Sequence, residues 1–306
     1  MKLLFIGGTR FLGHAMSTQA LARGHEVDVF HRGKTPVHGL EGAKHLHGDR
    51  AGDLSALAQG EWDAVIDTCG YRPRDIELMA NALTTRFRKY VFVSSASVYA
   101  ETIAPDSSES APRAATGGLD KTLLDSMPIN GETYGPLKVL CEDAVFAHHA
   151  DHLVLRPTFV IGPNDYTQRF PEWVRRIAAG GVVDAPGPRE AAVQYIDARD
   201  LAAFTIAAVE QNLRGTFNTA SPKVPFSFGD LLEAIMKGVA PPETRLNWLT
   251  PEQARASGKD YPLWGGGESS GVAAINSDAA RVHGLVARPL EETARDTLAW
   301  LSNPSA

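Results

Sequence analysis

Tyr134 and Lys138 stand four residues apart in Tyr134-Gly-Pro-Leu-Lys138, a spacing that puts both side chains on one face of a helix. A free phenol is a poor acid or base at neutral pH because its pKa is about 10. A neighbouring ammonium stabilises the phenolate and lowers that value. The tuned phenol then moves a proton while hydride moves to or from a cofactor. Ser95, at the end of the apolar run Tyr90-Val-Phe-Val93, offers a hydrogen bond to the same substrate oxygen. Tyr-x-x-x-Lys arises often by chance, so the reading depends on a seat for the hydride carrier elsewhere in the chain.

Met1–Arg32 has the form of that seat. Lys2-Leu-Leu-Phe-Ile6 reads as a buried parallel strand, and Gly7-Gly-Thr-Arg-Phe-Leu-Gly13 as a glycine turn leading into a helix. Gly7 permits the sharp exit from the strand and Gly13 the close approach of the helix. Thr9, Arg10, Phe11 and Leu12 lie on the turn. The first helical turn presents unpaired N–H groups and a positive dipole end, which favour a pyrophosphate. Gly24 ends the helix, and Val27-Asp-Val-Phe-His31 begins the second strand. Arg10 replaces the middle glycine of the usual pattern. His31-Arg32 stands where NAD-binding sequences carry an acid for the ribose 2′-hydroxyl. Guanidinium groups pair with a 2′-phosphate that a carboxylate would repel, so Arg10 and Arg32 point to NADP(H) in preference to NAD(H). The alternative for Arg32 is a solvated loop charge.

Strand and helix signals alternate through the first half of the chain. Ala64–Asp67, Tyr90–Val93 and His152–Arg156 read as strands, and Asp75–Thr84 and Tyr134–His148 as helices, with Pro136 in the first turn of the latter. Pro105–Gly118 reads as a loop. Further on, helices are expected at Pro171–Ala179, Asp197–Glu210, Phe228–Val239 after the N-cap Ser227, Asp278–Arg281 and Pro289–Leu301. Strands are expected at Val193–Ile196 and Gly215–Asn218, and Ala254–Ser270 reads as a loop. The alternation predicts an α/β fold, a Rossmann-type doubly wound parallel sheet with a smaller C-terminal substrate lobe. The expected division is a dinucleotide-binding domain over 1–160 and a substrate domain over 161–306, with part of 191–219 returning to the first.

The 306 residues carry a net charge of −6, so no basic field favours nucleic acid or an anionic membrane. No apolar run approaches a membrane span. Only Cys69 and Cys141 occur, leaving no disulfide framework. No histidine, cysteine or carboxylate cluster has convincing ligand spacing, so no metal is expected. These bounds fit a cytoplasmic enzyme with a small-molecule substrate. Trp173, Trp248 and Trp264 are candidates for a substrate pocket or for core packing, and the Ser107-Ser108 and Ser269-Ser270 pairs for loop polarity.

The sequence resembles the extended short-chain dehydrogenases/reductases of the NAD-dependent epimerase/dehydratase family over nearly its whole length. The matching pieces are Gly7–Gly13, Gly48-Asp49-Arg50, Ser94-Ser-Ala-Ser-Val-Tyr99, Tyr134–Lys138, Leu155-Arg-Pro157 and Tyr195-Ile-Asp-Ala-Arg-Asp200. The Gly-Gly-Thr-Arg-Phe opening is similar to an atypical branch that includes chloroplast RNA-binding proteins. The resemblance implies that Ser95 takes the catalytic Ser/Thr place, Tyr134 is the acid/base and Lys138 holds the nicotinamide ribose. It implies Asp49 and Arg50 near adenine, Thr68, Cys69 and Gly70 along the cofactor cleft beside Ser94, and Pro157 and Phe159 near the nicotinamide. It also implies a pairing surface for a homodimer on the helices after Asp75 and Tyr134.

Two departures narrow the reading. Ala96-Ser97 stands where dehydratases of the family carry Asp-Glu, which disfavours loss of water. Ala191 stands where nucleotide-sugar epimerases carry a nucleotide-gripping arginine, leaving Arg175, Arg176 or Arg189 as substitutes. The expectation is hydride transfer on a hydroxyl or carbonyl of a small substrate, sugars and sugar nucleotides included. The alternative is a non-catalytic nucleotide- or RNA-binding protein that kept the fold.

Overall fold

The computed structural model describes residues 1–303 except 35–36, 84–85, 117–122, 124–125 and 268–269. The expected helix end at Thr84, the loop end at 117–118 and Ser269 lie outside the described residues.

Seven strands form one parallel sheet: β1 (Lys2–Ile6), β2 (Glu26–His31), β3 (Lys44–His47), β4 (Trp62–Asp67), β5 (Phe87–Val93), β6 (His152–Pro157) and β10 (Gly215–Thr219). Their order is β10-β6-β5-β4-β1-β2-β3, so the chain reverses direction across the sheet between β1 and β4. A crevice opens at the carboxyl edge of such a reversal.

The apolar runs are buried on both faces, and alternate residues go to opposite sides. Leu3, Phe5, Val27, Val29, Ala64 and Ile66 share a core with Met16 of α1 (Phe11–Ala22) and Phe204 of the helix Ala198–Glu210. Leu4, Ile6, Val65, Phe92 and Val154 pack instead on Ile76 and Met79 of α2 (Pro73–Leu83) and on Cys141 and Val145 of α3 (Gly131–His148).

A second core gathers around Phe170, Trp173, Ile177, Phe228, Leu231 and Leu290. The helices Arg169–Ala178, Phe228–Val239 and Leu290–Ser302 supply it. Between them lie two small parallel sheets. One pairs β7 (Phe159–Ile161) with β9 (Tyr195–Asp197); the other pairs β8 (Val182–Pro186) with β11 (Arg245–Leu249). The chain returns to the large sheet through Ala198–Glu210, which packs along α1, and through β10 beside β6. Among the described residues no helix is long and apolar enough to cross a membrane.

Several sequence expectations are corrected. Helix α3 begins at Gly131, not Tyr134, because Asn130 caps it reciprocally with Thr133. Pro136 therefore falls in the second turn. The helix Pro251–Ala256, capped by Thr250, occupies the start of the stretch read as loop. Strands β8 and β11 are additions to the sequence reading: each is a five-residue run without a long apolar stretch, and β11 has no fully buried residue. The strand expected at Val193 begins only at Tyr195, because the backbone before it pairs with Phe226 and Ser227 instead.

At the C-cap of α3, His149 is 6% exposed and stacks on Tyr90, with ring centroids 4.1 Å apart. Burial, reinforced by His148 and His152, lowers its pKa to about 4. A depressed histidine adds stability above its unfolded pKa and loses it as pH falls toward the folded value. Stability is therefore expected to drop by roughly 1–2 kcal/mol from this group between about pH 6.5 and 4. Urea unfolding of His149→Phe should show a flatter pH profile in that window. An unchanged slope would assign the acid sensitivity elsewhere.

Candidate active site

A cleft of 1320 Å³ lies over the carboxyl ends of β1, β2, β4, β5 and β6. It gathers residues from both lobes. Of the positions singled out in the sequence, Gly7, Thr9, Arg10, Phe11, Leu12, Gly13, His31, Arg32, Asp49, Arg50, Thr68, Cys69, Ser94, Ser95, Tyr134, Lys138, Pro157 and Phe159 all line it. Gly70 does not. Its Cα faces Ile76 and Phe92, and its carbonyl accepts a hydrogen bond from Lys138.

The glycine turn fits a cradle for a dinucleotide. A Cβ on Gly13 would lie 2.3 Å from the Gly7 carbonyl oxygen, so only glycine lets α1 sit this close to the strand end. The first N–H groups of α1 have no acceptor within the helix. Thr68 Oγ1 donates to the Ile6 and Gly7 carbonyls, at 3.1 and 3.2 Å, and ties the turn to β4. Phe11 holds φ at 41°, in the left-handed region, which costs on the order of 1–2 kcal/mol. Its ring packs edge-on against Tyr166 at 6.3 Å, and the Arg10 guanidinium lies 4.1 Å over the same tyrosine. Arg10 thus leans from the turn to the smaller lobe at the mouth of the cleft.

Below the turn, Arg50 is committed to a buried pair. Its Nη1 and Nη2 donate to both Asp67 oxygens, at 2.9 and 2.8 Å, and Nη1 also reaches Cys69 Sγ at 3.2 Å. Tyr90 Oη and the Cys69 N–H complete the shell of Asp67. Burial opposes ionisation of Asp67, but the Arg50 charge and these hydrogen bonds prevail and hold the carboxyl below its usual value. Burial pushes the Cys69 thiol up to about 11, so it remains protonated and serves as a small lining group. Arg50 thus lines the cleft as part of its floor, with its guanidinium held by Asp67.

Ser94 is also committed. Its hydroxyl donates to Glu142 at 2.7 Å, and Glu142 receives two bonds from Arg156, at 2.8 and 2.7 Å. Arg156 continues to Tyr99, whose hydroxyl donates to Asn218. This chain of bonds ties β5, β6, β10 and α3 together behind the cleft wall. Ser95, by contrast, caps the short turn Ala96–Val98: its Oγ accepts the Ser97 N–H and donates to the Ser97 hydroxyl, both at 3.1 Å. A Cβ on Gly135 would lie 2.5 Å from the Ser97 carbonyl oxygen. The glycine next to Tyr134 therefore lets α3 press onto the Ser95 turn.

Lys138 is 2% exposed and donates to the Gly70 and Val93 carbonyls, at 2.9 and 2.8 Å. Its ammonium lies 4.5 Å from the Phe92 ring. One of its three N–H donors is left over. Tyr134, one helical turn earlier, is partly buried at the same wall.

The substitutes proposed for the missing arginine lie elsewhere. Arg175 and Arg176 pair with Glu172, and Arg189 pairs with Glu233. None of these lines the cleft, and neither do Trp173, Trp248 and Trp264; Trp173 is a core residue. Sequence reasoning missed Arg169, at the first position of its helix. Its Nε donates to Thr167 Oγ1 at 3.0 Å, its guanidinium lies 5.1 Å from the Phe159 ring, and it lines the cleft. The αL residues Asn164 and Gln168 aim this turn; asparagine is a usual left-handed residue, but glutamine is not. Among the described residues no group of three or more His, Cys, Asp or Glu is arranged to hold a metal.

Residues 74–220 match the model of the NAD dependent epimerase/dehydratase family. The chain is 28% identical over 275 residues to the chloroplast stem-loop binding protein of 41 kDa b of Arabidopsis thaliana, covering 82% of this chain and 67% of that protein. It shares its fold with the Bordetella bronchiseptica enzyme WbmH, solved in complex with NAD+ (TM-score 0.72, 16% identity, 100% and 99% of the two chains). The UDP-glucose 4-epimerase of Thermus thermophilus, solved with NAD, superposes with a TM-score of 0.68 at 16% identity over 99% of each chain.

Proposed function

Because residues 74–220 match the NAD dependent epimerase/dehydratase family, we propose that the chain is a nicotinamide-dependent epimerase or oxidoreductase of the extended short-chain type, acting on a hydroxyl or carbonyl. One observation carries the reading: Ser95, Tyr134 and Lys138 line the same cleft as the glycine turn at the head of α1. A bound nicotinamide supplies a carbon that takes and returns hydride. The chain's own residues do the rest. Tyr134 Oη takes the proton from the substrate hydroxyl or returns it. Ser95 Oγ orients that oxygen. Lys138 offers its remaining N–H to the ribose and keeps a positive charge on the phenol's side of the cleft. Ala96-Ser97, not an acidic pair, directly follows Ser95, which disfavours hydroxyl expulsion.

The cofactor carries a 2′-phosphate in this reading. Arg32 and Lys34 line the rim at the end of β2, where a ribose 2′-substituent falls. Arg10 is engaged with Tyr166, so the selection rests on Arg32. The helices α2 and α3 pack side by side, and in this reading they are the pairing surface for a homodimer.

Arg169 takes the substrate's anionic end in place of the missing arginine. The test is a screen of carbonyl and hydroxyl substrates by nicotinamide absorbance, with Arg169→Ala alongside. Loss of one charge-assisted contact made equally in ground and transition states raises KM about 10- to 100-fold with little change in kcat. An unaltered KM for every anionic substrate turned over would remove Arg169 from the site. The stem-loop binding in the plant relative's name is not carried over, because a net charge of −6 opposes a phosphate backbone.

A further inference from the structure

Three imidazoles meet at the carboxyl ends of β2 and β3. The His31 ring lies 5.1 Å from His45 and 4.8 Å from His47, centroid to centroid. Hydrogen bonds fix where the protons sit. The Gly33 backbone N–H donates to His31 Nδ1 at 3.2 Å, so the proton of His31 is on Nε2. That N–H donates to His45 Nδ1 at 3.0 Å. The proton of His45 is then on Nε2, facing the Leu40 carbonyl at 3.3 Å. Both rings are neutral in this chain of bonds, and every ring nitrogen is used. A second proton on His31 can enter only at Nδ1, where it displaces the Gly33 N–H.

Burial, then His47 and His45, hold the pKa of His31 below its ordinary value. The charged and titratable groups on the surrounding elements include Glu26 and Asp28 on β2, which pair with Lys2, Arg32 and Lys34 after β2, Lys44 on β3, His38 and Glu41 in the loop between them, His14 on α1, and Asp49 and Arg50 after β3. Glu41 accepts the Gly39 N–H, and Arg50 is held by Asp67. No carboxylate among the described residues bonds to the three rings.

We propose that the Gly33 N–H and His31 Nδ1 together form a proton-coupled site for a phosphate monoester, filled by the 2′-phosphate of NADP(H). The inference rests on the cofactor reading above. A phosphate oxygen enters between the two groups and accepts the Gly33 N–H. His31 takes one proton from solvent onto Nδ1 and donates it to the same phosphate, while Nε2 keeps its bond to His45. Arg32 and Lys34 add fixed positive charge at the rim. No covalent bond changes. Arginine and lysine acting alone would bind the phosphate without proton uptake, so the histidine gives the site a distinct signature.

Calorimetric titration of the full chain, at pH 7.5 in buffers of different ionisation enthalpy, counts the protons exchanged. NADP+ is expected to bind with uptake of roughly one-half to one proton, NAD+ with none. Over two pH units from 8.5 to 6.5, NADP+ affinity should gain about tenfold relative to NAD+. Inorganic phosphate at matched concentration should show at most a small fraction of the effect, which separates the cofactor from free phosphate. Arg32→Ala should weaken NADP+ yet keep the uptake, whereas His31→Asn should abolish the uptake. Titration of the 2′-phosphate itself would release protons, so zero exchange or net release by the wild type overturns the inference without needing a variant. Uptake that persists in His31→Asn also overturns it. NAD+ binding without NADP+-linked uptake leaves the cofactor reading standing; failure of both dinucleotides to bind overturns the two together.

Discussion

Tyr134→Phe is expected to lower kcat by roughly 10²–10⁴-fold while KM stays within about threefold. The substitution removes one oxygen and keeps the ring, so the packing of α3 on the Ser95 turn survives. What is lost is the only atom in this reading that takes or returns the substrate proton. The cap at Asn130, the close approach at Gly135 and the pinned ammonium of Lys138 all hold that oxygen's helix in place. Stopped-flow or steady-state absorbance of the nicotinamide, with circular dichroism as a check on folding, reads the effect. A variant retaining more than about a tenth of the wild-type rate would mean that another group carries the proton.

Asp67→Asn should destabilise the protein by about 3–5 kcal/mol. The carboxyl is fully buried and is the counter-charge of Arg50, which keeps its guanidinium inside the same floor. An amide of the same shape cannot accept both guanidinium bonds and leaves the buried cation only the weaker pairing with Asp75, 3.8 Å from its Nε. Tyr90→Phe removes only one neutral donor from the same carboxylate and should cost about 1–2 kcal/mol. The double variant Asp67→Leu with Arg50→Met is expected to recover much of the loss, because it deletes both charges rather than one. Urea unfolding measures all three. A single Asp67→Asn variant within about 1 kcal/mol of wild type would show that water or relaxation satisfies Arg50.

The consequence for function lies in position. Arg50 touches Cys69, and Cys69 lies beneath the exit of β1, where a Cβ on Gly7 would sit 2.7 Å from its sulfur. Loosening the pair disturbs the floor on which the glycine turn rests, so the stability loss should bring weaker dinucleotide binding with it.

The parts of this protein that were legible in the chain alone are those set by near neighbours. Leu3–Ile6, Ala64–Asp67 and Tyr90–Val93 are short, mainly apolar runs with glycine or serine within three residues of their ends, and each lies in an observed strand. The Gly7–Gly13 turn and the four-residue spacing of Tyr134 and Lys138 are likewise local, and the cleft they share follows from a parallel sheet with a reversal between β1 and β4. Partnership was not legible. Arg50 and Asp67 are 17 residues apart, Ser94 and Glu142 are 48, and the His31–His45 contact exists only because β3 lies beside β2. Which guanidinium is held in the floor and which faces a ligand depends on where the backbone turns bring each side chain, and Arg169 reaches the cleft through two left-handed residues of which only the asparagine is a usual one. Periodicity and propensity act over a few residues, whereas pairing of charges is decided by strand order and burial, and those exist only once the sheet has closed.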